Sequence, residues 1–102
     1  MKKNYRLEMY CVTNKRAKFL ENFKYKLAGV GLGNFPDNYI KSNNGDNIFY
    51  KEKYYSELTF HYWFWKNKLM ISDSEWIGFC QKRRFWINKS KIDKPINEKN
   101  FD

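Results

Sequence analysis

Two consecutive arginines, Arg83 and Arg84, are well suited to hold a charged ligand. A guanidinium group presents a rigid fork of N–H donors that matches a phosphate group bidentately. The pair therefore predicts binding of a phosphorylated ligand, and a nucleoside diphosphate is a suitable one. The alternative is that both arginines are bound to a nearby Glu or lie on the surface without a ligand.

Thr13 and Asn14 follow the apolar segment 7–12, as the arginine pair follows the apolar segment 76–80. Each segment has the near-continuous apolar character of a strand that is covered on both faces of a sheet. In open α/β sheets, ligands bind outside the carboxyl ends of the strands. If the two strands are parallel neighbours, Thr13 and Asn14 meet the arginines in one crevice.

Five further polar residues could contact a substrate, although each also has a structural explanation. Asp46 and Asn47 lie in the polar loop KSNNGDN, where turn formation alone would explain them. Glu57 stands at the predicted start of a helix, where the helix dipole favours an anion. Lys66 and Asn67 lie near the end of that helix, where they could bond its last carbonyl groups instead of a substrate.

That helix is predicted over residues 56–69, within the stretch 54–70 that has the densest supply of large apolar side chains. One stripe at helical spacing contains Leu58, Tyr62, Trp65 and Leu69. Aromatic residues occupy most of the remaining circumference, and a helix that is apolar nearly all round is typically buried. Trp65 is therefore expected in the core, and Ser56 is expected to cap the start of the helix.

A second helix is predicted over residues 15–28, because the apolar side chains there fall on one helical face. Gly29 would end it, and the GVGLG run that begins there lacks the spacing of a dinucleotide-binding fingerprint. A short extended segment is predicted at residues 39–40, and residues 88–102 are expected to form a loose polar terminus. The order strand, helix, loop, helix, strand is typical of an α/β fold.

The charge and the residue composition of the chain exclude some classes of protein and favour others. The chain carries 20 Lys and Arg residues against 11 Asp and Glu residues, and its formal charge of +9 attracts polyanions unless it serves solubility alone. Aromatic residues make up 21% of the chain, far too many for a disordered protein. No membrane-spanning run or signal peptide is recognisable, so a cytoplasmic location is expected. Cys11 and Cys80 fit no zinc motif, and reduced, buried thiols are expected.

Three segments carry a more specific signal: GDNI at residues 45–48, YSELTFHYWFWKN at residues 55–67 and WIGFCQKRRFW at residues 76–86. In this order and at this spacing they resemble an uncharacterised domain of capsular and exopolysaccharide biosynthesis proteins that are regarded as glycosyltransferases. The resemblance covers roughly residues 5–87. It implies a nucleotide-sugar-dependent transferase with a Rossmann-like α/β fold of the GT-A type, and it favours functional roles for Asp46 and Asn47.

Two departures from the family pattern affect what the resemblance implies. Gln81 and Lys82 stand where the family has His-Tyr before the arginine pair, so a proton-transfer role of that histidine is absent. The family domain also continues beyond this motif. Residues 1–87 are therefore expected to form the N-terminal half of a GT-A-like domain, followed by a flexible polar tail at residues 88–102.

The same resemblance raises the question of whether the chain binds a divalent metal ion. GT-A transferases commonly hold a divalent metal on an Asp-x-Asp motif, where it neutralises the leaving diphosphate. Every aspartate of this chain is isolated from the others. The sequence therefore predicts no cofactor in this chain, with Mn²⁺ or Mg²⁺ bound only if a second chain completes the site.

The predicted function is binding of a nucleotide sugar by a truncated glycosyltransferase-like domain for surface polysaccharide synthesis, with a homodimer or a partner subunit covering the missing half. One alternative is a non-catalytic accessory module. Another is a small basic protein that stacks nucleic-acid bases on exposed aromatic rings. Nucleic acid is disfavoured if Tyr62, Trp63 and Trp65 lie mostly inside, as predicted. His61 on the same helix is more typical of a packed side chain than of a catalytic one.

Overall fold

The computed structural model describes residues 6–23, 25–88 and 91–96. Its centre is a sheet of four parallel strands, which confirms the predicted α/β class. The strands are β1 (Leu7–Thr13), β2 (Lys26–Gly29), β3 (Tyr39–Lys41) and β4 (Trp76–Gln81), in the spatial order β3-β2-β1-β4. Helices α1 (Glu52–Tyr55) and α2 (Leu58–Asn67) precede β4, and an antiparallel ribbon of β5 (Ile87–Asn88) and β6 (Lys91–Pro95) follows it. Within these described ranges, no helix has the length and apolarity to cross a membrane.

Strand β1 is the central strand because its side chains are apolar on both faces. It pairs with β4 from Leu7 opposite Trp76 to Val12 opposite Gln81, and with β2 on its other edge. The prediction that segments 7–12 and 76–80 are parallel neighbours is therefore confirmed. The short extended segment predicted at residues 39–40 is also confirmed, as part of β3.

Alternate residues of β1 contribute to two cores on opposite faces of the sheet. The face covered by α2 holds Tyr10, Val12, Ala28, Val30, Phe60, Trp63 and Phe64. The other face holds Leu7, Met9, Cys11, Leu20, Leu27, Tyr39 and Cys80. The layer between the sheet and α2 is therefore filled largely by aromatic rings, those of Tyr10, Phe60, Trp63, Phe64 and the half-buried Phe79.

The helix predicted over residues 15–28 is not present. A 3₁₀ turn spans Lys18–Asn22, and Lys26–Gly29 form β2 instead. Once they pair with β1, Leu27 is buried in the core away from α2 and Ala28 in the core covered by α2, and this tertiary pairing overrides the helical spacing. Gly29 is the last residue of a strand rather than a helix stop, and a Cβ there would lie 2.7 Å from the Phe35 ring.

Helix α2 is shorter than predicted and buries a different face. It spans Leu58–Asn67, and Ser56 makes no capping bond with its side chain but holds a left-handed φ of 49° between α1 and α2. Its buried residues are Thr59, Phe60, Trp63 and Phe64. The predicted stripe faces outward, and Trp65 is 55% exposed, so its assignment to the core is wrong. An all-round apolar pattern does not determine which face meets the sheet.

Part of the C-terminal segment 88–102, which the sequence predicts to be a loose tail, forms a β-strand. Lys91–Pro95 form β6, and the N–H group of Ile96 donates a hydrogen bond to the Trp86 carbonyl at 2.7 Å. Ile96 also packs against the core on the face opposite α2. Asn88 and residues 91–95 thus lie in strands where the sequence predicts a patternless tail, and residues 89–90 and 97–102 lie outside the described ranges.

Candidate functional site

The strand order places a topological switch point between β1 and β4. The chain adds β2 and β3 on one edge of β1 and then crosses to add β4 on the other edge. Loops leaving the carboxyl ends of β1 and β4 therefore diverge and open a crevice, the usual ligand position in open α/β sheets. A cavity of about 160 Å³ lies there, lined by Val12, Thr13, Asn14, Val30, Ser56, Glu57, Gln81 and Lys82.

The β1 side of this switch-point crevice is shaped by Thr13. Its hydroxyl donates a hydrogen bond to the Lys15 carbonyl at 2.7 Å and accepts one from the Lys15 N–H at 3.2 Å. The Thr13 carbonyl accepts a bond from the Val30 N–H at 2.9 Å, which holds the end of β2 against the crevice. Thr13 is buried and fixes the loop, whereas Asn14 is exposed at the crevice and can reach a ligand.

The opposite side of the crevice is closed by Glu57 and Gln81. The Gln81 Nε2 atom donates a hydrogen bond of 2.6 Å to Glu57 Oε1, which joins the end of β4 to the residue before α2. Lys82, half-buried, supplies an ammonium group to the same cavity. The crevice therefore combines a carboxylate, two amides, the hydroxyl groups of Thr13 and Ser56, and one cation.

The arginine pair does not reach this crevice. Residues 81–84 form a tight turn in which the Gln81 and Arg84 backbones exchange hydrogen bonds of 3.1 and 3.2 Å. Lys82 lines the crevice, whereas Arg83 and Arg84 are exposed and Arg84 borders a separate cleft beside Phe85. The prediction that both arginines meet Thr13 and Asn14 is wrong because the turn reverses the chain immediately after β4.

Asp46 and Asn67 belong to a second polar cluster that joins the loop before α1 to α2. The Asn67 amide donates 2.9 Å bonds to the carbonyl groups of Asp46 and Trp63. The Tyr62 hydroxyl donates a bond of 2.9 Å to Asp46 Oδ1. Neither residue lines the crevice, so the structure assigns them to fixing the loop on the helix.

Asn47 has a similar local role. Its Nδ2 atom donates to the Gly45 carbonyl at 2.9 Å, and its Oδ1 atom accepts from the Phe49 N–H at 3.1 Å. Lys66 is exposed, with its ammonium group 4.0 Å from the centre of the Trp65 ring. Of the nine predicted site residues, the structure brings Thr13, Asn14 and Glu57 together at the crevice.

Three polar residues of the crevice are not among the predicted site residues: Ser56, Gln81 and Lys82. Gln81 and Lys82 stand out in sequence only as departures from the family pattern at the end of a strand. Ser56 carries a different signal, visible only in the backbone. A left-handed φ costs a residue with a Cβ free energy, and such positions concentrate at functional sites.

A larger cavity of about 760 Å³ lies beside the C-terminal half of α2. Its lining includes three lysines and three acids: Lys26, Lys41, Lys68, Glu8, Asp37 and Asp73. Several of these are already paired, since Lys26 lies 3.3 Å from Glu8 and Arg6 lies 2.9 Å from Asp73. Across the described ranges, no group of three or more His, Cys, Asp or Glu side chains is placed to hold a metal ion.

His61 is packed rather than placed at the crevice. Its ring lies 4.6 Å from the Phe79 ring, centre to centre, and burial lowers its pKa below the ordinary value of 6.5, an effect that the Glu57 carboxylate opposes. His61 is therefore neutral at neutral pH. This agrees with the prediction of a packed side chain.

The depressed pKa of His61 predicts that acid destabilises the fold. Below pH 6.5 the unfolded chain binds a proton at this histidine before the folded chain does, so the free energy of unfolding falls as the pH falls. Urea unfolding at a series of pH values from neutral down to about pH 5 measures the slope. Because His61 is the single histidine of the chain, His61→Asn is the matched control and should flatten the slope. If the free energy of unfolding of His61→Asn falls with pH as steeply as that of the wild type, the acid destabilisation would come from carboxylates and not from His61.

Comparison with known proteins adds one match. The model of a domain of unknown function, DUF4422, matches residues 8–101. Neither the curated proteins nor the solved structures contain a significant match to the chain. The matched residues include the four strands of the sheet apart from Leu7, together with both helices and the switch-point crevice. The chain therefore belongs to the DUF4422 family.

Proposed function

We propose that this protein is a nucleotide-sugar-binding domain of the glycosyltransferase type, and that its ligand lies in the switch-point crevice. The observation that carries the proposal is the position of a cavity with polar side chains in its lining at the carboxyl ends of β1 and β4, where the strand order reverses. Open α/β sheets bind nucleotides at this position because the two loops diverge there and expose backbone and short polar side chains.

The residue types of the crevice suit a sugar nucleotide. Lys82 can neutralise part of the diphosphate charge, and the Asn14 amide can hydrogen-bond phosphate or ribose oxygens. The Glu57 carboxylate is an acceptor for ribose or sugar hydroxyl groups. Ser56, held with a left-handed φ of 49° beside these groups, supports a functional site, since such conformations concentrate where ligands bind.

The small size of the crevice predicts weak binding. A volume of about 160 Å³ holds one part of a nucleotide sugar, and whole small-molecule sites run from about 300 Å³ upward. A single lysine also provides little charge for a diphosphate. We therefore expect uridine or guanosine diphosphate to bind in the high micromolar to millimolar range, about −4 to −6 kcal/mol. Surface polysaccharide synthesis is the process that the sequence resemblance suggests for such a domain.

Calorimetric titration with uridine and guanosine diphosphates and their sugar derivatives tests the proposal. Lys82→Ala is expected to weaken binding by about tenfold, because a charge-assisted phosphate contact is lost. Arg83→Ala is the matched control, since Arg83 lies on the same turn outside the crevice, and it should change the affinity by less than about twofold. Equal losses in both variants would indicate nonspecific attraction to a basic surface. Absence of binding at millimolar nucleotide would contradict the proposal.

One observation favours a second candidate function, binding of single-stranded nucleic acid. Tyr50, Tyr54 and Trp65 are exposed, and a lysine ammonium group lies 5.7, 5.8 and 4.0 Å from their respective ring centres. Exposed aromatic rings beside cations are typical of base-stacking surfaces. Fluorescence anisotropy with a labelled oligonucleotide decides between the two: binding that Trp65→Ala weakens and Lys82→Ala does not would support this second function.

A further inference from the structure

Cys11 and Cys80 lie directly opposite each other in the parallel pair of β1 and β4. Both are free cysteines, and both belong to the core on the face away from α2. Neighbouring strands are about 4.7–4.9 Å apart, which falls within the Cα separation of about 4.4–6.8 Å that a disulfide requires. Because they are paired residues of neighbouring parallel strands, their side chains point to the same face of the sheet. The backbone thus already holds the two sulfur atoms close together on one face of the sheet.

The two thiols differ in access. Cys11 is 0% exposed, whereas Cys80 is 8% exposed and lines a cleft of about 290 Å³. The other residues of this cleft are Phe79, Gln81, Arg84, Phe85 and Trp86. A small oxidant entering the cleft therefore meets Cys80 first, with Cys11 behind it.

The titration of the pair favours a single thiolate, and it is access through the cleft that selects Cys80 as the sulfur that meets the oxidant. The hydrogen bond from Cys80 lowers the pKa of Cys11, and the same contact, with burial and the charge of Cys11, raises the pKa of Cys80. The first proton thus leaves the pair readily and the second with difficulty, and the remaining proton can reside on either sulfur. Tyr25 faces the pair as a neutral phenol, because burial and the two cysteines raise its pKa.

We propose that Cys11 and Cys80 are a redox-modification site that forms an intramolecular disulfide on exposure to a peroxide. The Cys80 sulfur passes its proton to the Cys11 thiolate and attacks one oxygen of hydrogen peroxide. The O–O bond breaks, and the departing hydroxide takes the proton back from Cys11 and leaves as water. The Cys11 thiolate then attacks the sulfur of the Cys80 sulfenic acid, the S–O bond breaks, and a second water leaves. Two thiols are oxidised, and one peroxide is reduced to two waters.

The disulfide would connect the two strands that border the switch-point crevice. Thr13 lies two residues beyond Cys11, and Lys82 lies two residues beyond Cys80. Cross-linking β1 to β4 at this level restricts their separation and stabilises the sheet against unfolding. The modification itself depends on the strand register and the cleft, so its test is independent of any nucleotide.

The experiment treats the native full chain with a molar excess of hydrogen peroxide, removes the peroxide with catalase, and counts thiols with a maleimide after denaturation. The expected result is loss of both thiols, an intact mass lower by two hydrogens, a monomer on a nonreducing gel, and full recovery with dithiothreitol. The oxidised protein should also unfold at a higher urea concentration than the reduced protein. Diamide, a thiol-specific oxidant, should give the same product.

Two matched variants test the order of the steps. In Cys11→Ser, Cys80 should be trapped by dimedone as a sulfenic acid, whereas in Cys80→Ser the buried Cys11 should remain a thiol. The wild-type arms require no substitution, so a serine variant that fails to fold does not affect them. Retention of both thiols in the treated wild type would overturn the proposal. The proposal would also be overturned if the mass of the treated protein rose by added oxygen without the loss of two hydrogens, or if disulfides formed between chains.

Discussion

Phe60→Ala is expected to lower the free energy of unfolding by roughly 3–5 kcal/mol, the usual cost of removing a buried aromatic ring. Phe60 is 0% exposed, and its ring centre lies 5.6 Å from that of Tyr10, 5.7 Å from that of Trp63 and 6.2 Å from that of Phe79. These rings come from β1, α2 and β4, so collapse around the cavity would require three elements to move. Urea denaturation followed by circular dichroism measures the loss.

Trp65→Ala is the matched control on the same helix. Trp65 is 55% exposed and contacts the Tyr62 ring edge and the Lys66 ammonium group rather than the sheet. Its removal is expected to cost less than about 1 kcal/mol, because little apolar area is returned to water. A loss at Trp65 as large as that at Phe60 would mean that α2 presents the opposite face to the sheet.

Gly45→Ala is expected to destabilise the protein by roughly 2–5 kcal/mol, from two independent causes. Gly45 has a φ of 63°, a left-handed conformation that costs a residue with a Cβ about 1–2 kcal/mol. The added Cβ would also overlap Asn67 Oδ1. Asn67 would then have to move and lose its bonds to the carbonyl groups of Asp46 and Trp63. Thermal or urea unfolding of the variant measures the cost.

A double-mutant cycle separates the two causes. Asn67→Ala alone should cost about 1–3 kcal/mol through the unsatisfied carbonyl groups. In the Asn67→Ala background the overlap is gone, so Gly45→Ala should cost only the left-handed strain of about 1–2 kcal/mol. If Gly45→Ala costs the same in both backgrounds, the contact with Asn67 contributes nothing. This cycle also tests whether the amide of Asn67 is structural, as its hydrogen bonds indicate.

The sequence predicted the parts of the fold that depend on a single strong pattern. Segments 7–12 and 76–80 are apolar on both faces, and this is the pattern of strands covered on two sides, so β1 and β4 were identified with their parallel pairing. The prediction of a helix over residues 15–28 is wrong because β2 has only four residues. Four residues are too few to show a strand period of their own against the helical spacing around them. In α2, aromatic residues on every side concealed which face meets the sheet.

The candidate site was predicted in position but only partly in residues. The carboxyl ends of β1 and β4 follow from the strand prediction, and Thr13, Asn14 and Glu57 meet there. The cation that lines the crevice is Lys82 and not an arginine of the pair, because the direction of a side chain after a strand depends on the turn that follows. The backbone hydrogen bonds between Gln81 and Arg84 that form this turn cannot be read from the sequence. Asp46 and Asn47 are predicted as substrate-binding residues but fix a loop, because short polar side chains suit turns and ligand contacts equally well.

The central position of β1 also determines how the chain can acquire its fold. Its two neighbours are β2, which follows after a short connection, and β4, which comes from the far end of the sheet-forming sequence. During synthesis, a chain that has emerged only as far as β3 has one edge of β1 without its partner. Completion of the sheet must wait for residues 76–81, and closing this long loop costs entropy before its contacts form. The folding rate is therefore expected to be set by this non-local pairing and not by formation of α2.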